Sequence, residues 1–210
     1  MNEQRSSAPE PENKMYEADV EQPQTIVASV RRYDSVSMAL HYLTSLLLVA
    51  LFATAWAREQ ASDGDTAALL LTLHRSSGVL IWIATLVRLA WKATAGRTPA
   101  LPSAMPRAQR WAARGNDALL YLVLIAQPVT GILQSVARGK PFALLGVTVP
   151  SIMARDKGMT HLFHDIHETT ATVLLVLVGL HVGAALFHGI VLRDGVLRSM
   201  LPARPQLFQK

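Results

Sequence analysis

The chain has 210 residues, of which 50% are hydrophobic and 17% charged, and its formal net charge is +5. Because the apolar residues come in blocks, this composition excludes an ordinary soluble domain and is typical of a helical membrane protein. The absence of cysteine excludes disulfides, thiolate-bound iron–sulfur clusters and covalent attachment of a c-type haem. The basic residues follow the membrane topology described below, so no nucleic acid is predicted as a partner.

Residues 1–34 are rich in Glu, Gln, Pro and Ser and carry seven acidic and four basic side chains. They contain no apolar run of the length that a signal peptide requires. Such a segment cannot bury enough apolar surface to offset the entropy lost on ordering. We expect a disordered cytoplasmic tail, and a docking arm for a soluble partner is the alternative.

Four apolar segments follow, each near the roughly 20 residues that cross a hydrocarbon core. The predicted helices cover about 35–56, 66–91, 117–137 and 162–192. The basic link from Lys92 to Gly115 is predicted to be a loop. The sequence therefore predicts an all-α fold, a transmembrane four-helix bundle over residues 35–205, with the lipid bilayer as its surroundings.

Lys and Arg residues near the spans are divided unequally between the two sides of this bundle. One side has eleven, namely Arg31, Arg32, Lys92, Arg97, Arg107, Arg110, Arg114, Arg193, Arg198, Arg204 and Lys210. The other side has five, namely Arg58, Arg138, Lys140, Arg155 and Lys157. Since positive residues near spans stay cytoplasmic, both termini are predicted to be cytoplasmic and the first and third loops periplasmic.

Four histidines are predicted to form two pairs at two depths. His167 and His181 are fourteen residues apart on the last span, which places them on nearly one face, separated by roughly 21 Å along the axis. His41 lies near the cytoplasmic start of its span, at the level of His181. His74 follows the first periplasmic loop and shares the level of His167. Ionisable side chains inside a span are costly and mark function by default.

A pair of imidazoles suits the iron of a non-covalently bound haem, because two axial ligands leave no open position and favour electron transfer. Zinc prefers four close ligands in a tetrahedron, which two pairs so far apart cannot supply. We therefore predict two haems, one held by His41 and His181 and the other by His74 and His167.

Three further residues are predicted to contact these haems. Arg75 and Arg88 need anionic partners in a membrane, and haem propionates would supply them. The alternative for Arg88 is that it extends towards the cytoplasmic headgroups. Gly78, one turn after His74, removes a side chain where a porphyrin could approach, and close helix packing is its alternative explanation.

The remaining histidines have weaker assignments. His188 follows His181 by seven residues and is predicted to face the same interior seam, where it could relay protons to a quinone. His161 and His164 could donate protons or contact a haem edge. Together with His167 they also permit a hypothesis of another class, a cofactor-free metal-ion carrier, although the spans offer almost no polar path at the midplane.

Several motifs together resemble the prokaryotic cytochrome b561 family of four-helix inner-membrane cytochromes with two haems. They are ALHYL around His41, LHRSSG around His74, LVRL at Arg88, IAQPVTGIL in the third span, GKPFALLGVTVP in the third loop and IHETTATVLLVLVGLHVGAALFH in the fourth span. The similarity covers roughly Arg31 to Pro205. It implies the same two ligand pairs for two b-type haems in a multi-pass protein of the bacterial inner membrane.

The resemblance also implies electron exchange with ubiquinone as an exchangeable substrate. Some members are thought to oxidise superoxide at the periplasmic face, for which Arg75, Arg155 and Lys157 are candidate attracting groups. Related four-helix cytochromes serve as haem subunits of hydrogenases and other periplasmic dehydrogenases, which is the alternative function. The predicted activity is thus electron transfer between a periplasmic donor and ubiquinone.

Overall fold

Four long helices form the body of the computed structural model, which describes residues 32–202. They are α1 (Ser35–Gln60), α2 (Gly64–Thr94), α3 (Arg107–Ala137) and α4 (Lys157–Phe187). Each is long and apolar enough to cross a membrane, which confirms the predicted fold class. Most of the predicted tail, residues 1–31, lies outside the described residues, as do residues 203–205 of the predicted bundle.

Aspartate side chains begin three of the four helices. Asp34, Asp63 and Asp156 each accept a hydrogen bond from the backbone N–H three residues later, which satisfies one of the free donors at a helix start. Asp34 also accepts from the indole N–H of Trp91 and from the backbone N–H of Arg97. These hydrogen bonds hold its pKa well below the usual range and join the start of α1 to the end of α2.

The prediction of a loop from Lys92 to Gly115 is wrong at both ends, because α2 continues to Thr94 and α3 begins at Arg107. Pro106 directly precedes the helix, a place where its missing N–H costs nothing. The guanidinium of Arg110 donates to the backbone carbonyls of Pro102, Ser103 and Met105. The first turns of α3 therefore form a basic helical extension of the span, which hydropathy alone does not reveal.

The bundle has two distinct ends. At one end, β1 (Phe142–Leu144) and β2 (Val147–Val149) form an antiparallel hairpin between α3 and α4, and we call this the hairpin end. At the other end α1 begins and α4 continues into a π-helical turn, His188–Leu192, and a short helix α5 (Val196–Ser199). We call this the terminal end.

A small apolar core lies between these ends. Helix α1 packs along α2, α3 packs along α4, and α2 contacts α3. The buried core side chains are Ile81, Val123, Leu124, Leu174 and Leu177. Many large apolar side chains point outward instead, among them Leu46, Leu69, Leu122 and Leu180, each at least 60% exposed. An apolar surface of this extent is stable in a lipid bilayer and unfavourable in water.

Candidate functional site

Two cavities flank the apolar core, one towards each end of the bundle. The hairpin-end cavity measures about 600 Å³ and contains His74 and His167 in its wall. The terminal-end cavity measures about 310 Å³ and contains His41 and His181. Leu48 and Leu124 line both cavities and form a shared wall. Volumes of this order are those of sites for small ligands and cofactors, about 300–1,000 Å³.

The four histidines meet as the two pairs that topology predicted. The ring centres of His74 and His167 are 6.3 Å apart, and those of His41 and His181 are 6.2 Å apart. A first-row metal lies about 2 Å from an imidazole nitrogen and the ring centre about 1.2 Å farther on, so rings facing across one metal are about 6.4 Å apart between centres. Both pairs therefore have the separation that an iron between two axial imidazoles requires.

Hydrogen bonds orient the two rings of the hairpin-end pair. Nδ1 of His74 lies 3.0 Å from the carbonyl oxygen of Leu51, and Nδ1 of His167 lies 3.1 Å from that of Gln127. Because a carbonyl oxygen can only accept, both Nδ1 atoms carry the hydrogen. Nε2 of each ring is then the unprotonated nitrogen, available to iron, in the arrangement that metal-binding histidines usually adopt.

The terminal-end pair has different partners. Nδ1 of His181 lies 3.4 Å from Oδ1 of Asp117 on α3. Nδ1 of His41 is buried and has no hydrogen-bond partner within residues 32–202. A buried ring nitrogen without a partner is uncommon. Taken with the ring spacing and the cavity beside it, this nitrogen fits a site that holds a further group.

The predicted haem-contacting residues line the two cavities as expected from their positions in the chain. Arg75 and Gly78 line the hairpin-end cavity, and Arg88 lines the terminal-end cavity, where its guanidinium lies 5.5 Å from the ring centre of Tyr121. A methyl group at Gly78 would meet only the side chain of Leu51, at 3.8 Å. These positions fit a porphyrin and its propionates, and the contacts themselves stay predictions.

The hairpin-end cavity is lined by three arginines, two of which the sequence did not single out. Arg58 and Arg138 join Arg75 there, and among the described residues none of them forms an ion pair with a carboxylate. Burial, followed by the nearby charge of Arg58, lowers the pKa of Arg138. Arg75 is held by Ser135, whose hydroxyl accepts from its Nε at 3.1 Å. Two carboxylates, Glu59 and Glu168, line the same cavity, so the three arginines leave it with a net positive charge.

Two cations proposed from the sequence lie elsewhere. Arg155 and Lys157 are exposed at the hairpin end and do not line the cavity. Arg58 lies in the last turn of α1 and Arg138 directly follows α3, so they share a cavity with Arg75 only because those two helix ends converge. Clusters that depend on convergence of distant helix ends carry no local sequence signal.

The other histidines divide into exposed and buried ones. His161 is exposed, and His164 lines the hairpin-end cavity with its Nε2 3.5 Å from Oε2 of Glu168. Within residues 32–202 no group of three or more His, Cys, Asp or Glu side chains could hold a metal ion. The series His161, His164 and His167 therefore offers no carrier site there.

His188 is buried and, like His181, contacts a residue of α3, although it does not line the cavity beside His181. Its Nδ1 forms a short hydrogen bond with Asp194, and its Nε2 lies 3.0 Å from the amide nitrogen of Gln109. The π-helical turn that begins at His188 brings Asp194 back onto the ring. Gln109 and Asp194 were absent from the sequence prediction because neither lies in an apolar segment.

Four membrane-length helices enclosing two facing pairs of imidazoles define the class of this molecule as a helical membrane protein with paired internal histidines. The family model described as prokaryotic cytochrome b561 matches residues 32–203. The chain therefore belongs to the prokaryotic cytochrome b561 family, whose members are membrane electron-transfer proteins with b-type haem. It is accordingly a bacterial membrane protein.

Three curated proteins illustrate the similarity. Cytochrome b561 homolog 1 of Escherichia coli K12 is 29% identical over 83% of this chain and 99% of its own length. Cytochrome b561 homolog 2 of the same strain is 30% identical over 81% of this chain and 91% of its own length. A protein of Yersinia pestis named probable superoxide oxidase CybB is 25% identical over 83% of this chain and 98% of its own length.

Gly131 on α3 provides a test of the hairpin-end site. A Cβ atom there would lie 3.2 Å from Cε1 of His167, so Gly131→Ala must displace the ring. We expect haem retention at this end to weaken, with an overpacking cost of about 1–3 kcal/mol, measured as haem per chain and as the thermal denaturation midpoint. Gly179→Ala is the matched control, because a Cβ there meets nothing within 4 Å. Equal haem retention in both variants would contradict the prediction.

Proposed function

We propose that this protein transfers electrons between a periplasmic donor and ubiquinone through two haems, each held by a pair of histidines. The observation that carries the proposal is the pair of ring-centre separations, 6.2 Å and 6.3 Å, at opposite ends of one bundle. Two such sites supply electron carriers on both sides of the apolar core.

A b-type haem held between two imidazoles supplies one-electron oxidation and reduction with little ligand rearrangement. The protein's part is to hold the haems and to orient their histidine ligands. Leu51 and Gln127 fix the protonated nitrogens of His74 and His167 through their carbonyl oxygens. Arg75 in one cavity and Arg88 in the other are positioned to pair with propionates. The apolar side chains of Leu48 and Leu124 separate the two cavities.

The distribution of Lys and Arg favours a cytoplasmic terminal end and a periplasmic hairpin end, in the inner membrane. On this orientation the cluster of Arg58, Arg75 and Arg138 faces the periplasm. A concave, positively charged site attracts small anions and raises their encounter rate. The name of the Yersinia pestis relative, probable superoxide oxidase, supports superoxide as the donor.

The overall reaction balances as follows. Two superoxide anions each lose one electron and become dioxygen, and one ubiquinone takes up these two electrons with two protons to become ubiquinol. The protons have a candidate source at the terminal end, where Nδ1–H of His188 donates to Asp194 and the amide of Gln109 donates to Nε2. This buried group could hold a proton close to a quinone at the membrane surface.

Two measurements on the purified full-length protein test the proposal. The pyridine haemochrome assay and the reduced-minus-oxidised spectrum are expected to give two low-spin b haems per chain. Superoxide added to proteoliposomes containing ubiquinone is then expected to yield ubiquinol in a one-to-two ratio to the superoxide consumed. Fewer than two haems would contradict the paired sites. Two haems without reduction by superoxide would exclude this donor and favour a protein donor such as a dehydrogenase.

A further inference from the structure

The Nδ1 atoms of the two histidine pairs have different neighbours, neutral at the hairpin end and charged at the terminal end. At the hairpin end the Nδ1 atoms of both rings lie at hydrogen-bond distance from neutral groups only, a backbone carbonyl oxygen and a threonine hydroxyl in each case. At the terminal end the acceptor nearest to Nδ1 of His181 is a carboxylate oxygen of Asp117, 3.4 Å away. Among the described residues, Asp117 is the one carboxylate within ion-pairing distance of the four paired rings.

We propose that Asp117 is a positioning residue for His181 that makes the haem of the terminal-end pair harder to reduce. The inference rests on the proposed pairing of His41 with His181 around a haem. Asp117 lies on α3, whereas His41 and His181 belong to α1 and α4. All three line the same cavity, so the carboxylate comes to the ring from a separate helix.

A carboxylate differs from a carbonyl oxygen in carrying a full negative charge, which at 3.4 Å favours positive charge on the imidazole and on a metal that it holds. When a metal-bound imidazole donates its second N–H to a carboxylate, the orientation of the ring is fixed and the ligand becomes more basic. A more basic ligand stabilises the ferric state over the ferrous state. Asp117 is therefore expected to lower the reduction potential at the terminal end relative to the same site without the charge.

Two cations, Arg88 and Lys92, line the same cavity and act in the opposite sense to Asp117. Arg88 and Lys92 lie over the ring of Tyr121, at 5.5 Å and 5.2 Å from its centre. Neither forms an ion pair with Asp117 within residues 32–202. The carboxylate thus remains free to interact with His181. With its lower reduction potential, the reduced haem at this site would be a stronger reductant for a quinone than the same haem without the charge of Asp117.

The decisive variant is Asp117→Asn, which keeps the size of the side chain and an oxygen acceptor but removes the charge. We expect a spectroelectrochemical titration of the full-length protein to show one haem reduced about tenfold more favourably, which is about 59 mV for a one-electron couple. The other haem should keep its potential. Repeating the titration in His74→Ala, which retains only the terminal-end haem, identifies the haem that moves.

Two further variants separate a specific contact from a general change of charge. Asp165→Asn removes an exposed carboxylate two residues from His167, without a contact to its ring, and is expected to leave both potentials unchanged. Asp117→Glu keeps the charge, and the reduction equilibrium of its terminal-end haem is expected to stay within about twofold of that in the wild type. If Asp117→Asn does not retain the haem, Asp117→Glu still tests the proposal. A tenfold shift of the haem's reduction equilibrium in Asp117→Glu, which keeps the charge, overturns the proposal.

The low-spin ferric EPR signal provides a readout that folding alone does not move. Asp117→Asn should alter the signal of the terminal-end haem and leave the other signal unchanged. Unchanged potentials and spectra in a protein with two haems overturn the role of Asp117 and leave the proposed function intact. A wild-type protein without a terminal-end haem overturns both.

Discussion

Replacement of His167 by alanine is expected to remove one of two haems and leave the other, so that the haem content falls from two per chain to one. The reason is that His167 and His74 face each other in one cavity, and His41 and His181 face each other in another, across an apolar wall. His181→Ala should give the complementary loss. Pyridine haemochrome content and low-temperature reduced spectra measure both results.

His161→Ala is the matched control, since His161 is exposed and lines neither cavity. It is expected to retain both haems. Retention of two haems by His167→Ala would refute the pairing. The same conclusion follows if His167→Ala and His181→Ala each lose both haems while circular dichroism shows the helical content of the wild type.

Reversal of two charges at the hairpin end is expected to slow the reaction with superoxide by about tenfold to a hundredfold at low ionic strength. The double variant is Arg58→Glu with Arg138→Glu, which replaces two of the three arginines around the cavity by negative charges. Because dissolved salt screens such attraction over about 10 Å at 0.1 M, the difference should shrink as salt is added. Stopped-flow measurement of haem reduction against ionic strength tests this.

Lys157→Glu is the control for this experiment, because it changes charge by the same amount per site at the same end but lies outside the cavity. It should slow the reaction far less than the double variant. Rates are compared per haem, so that any loss of haem through weakened propionate pairing is separated from slower encounter. A double variant with the wild-type rate and salt dependence would exclude steering by these arginines.

Much of the fold was predictable from hydropathy and histidine spacing. Apolar blocks of membrane length identified four helices, since a bilayer accepts only segments that satisfy their own backbone hydrogen bonds. Alternation of direction from span to span then placed His41 level with His181 and His74 level with His167. The structure brings these rings to 6.2 Å and 6.3 Å, although their role as haem ligands stays a prediction.

The polar surroundings of the histidines were not predictable in the same way. Asp117 was known only as the first residue of a predicted span. Hydropathy, however, does not define how α3 is rotated, and a rotation by one residue, about 100°, would turn the carboxylate away from the ring. Only the packing of α3 along α4 brings Asp117 to His181.

The ends of the helices also separate what the sequence determines from what the tertiary structure decides. The amino-acid sequence by itself determined the number of spans and the depths of the paired histidines, because both follow from the length and period of continuous apolar segments. Tertiary structure decided that Arg58 and Arg138 join Arg75, and that Gln109 and Asp194 enclose His188. These contacts join residues from separate helix ends and turns, whose positions depend on how the helices cross and not on any local pattern.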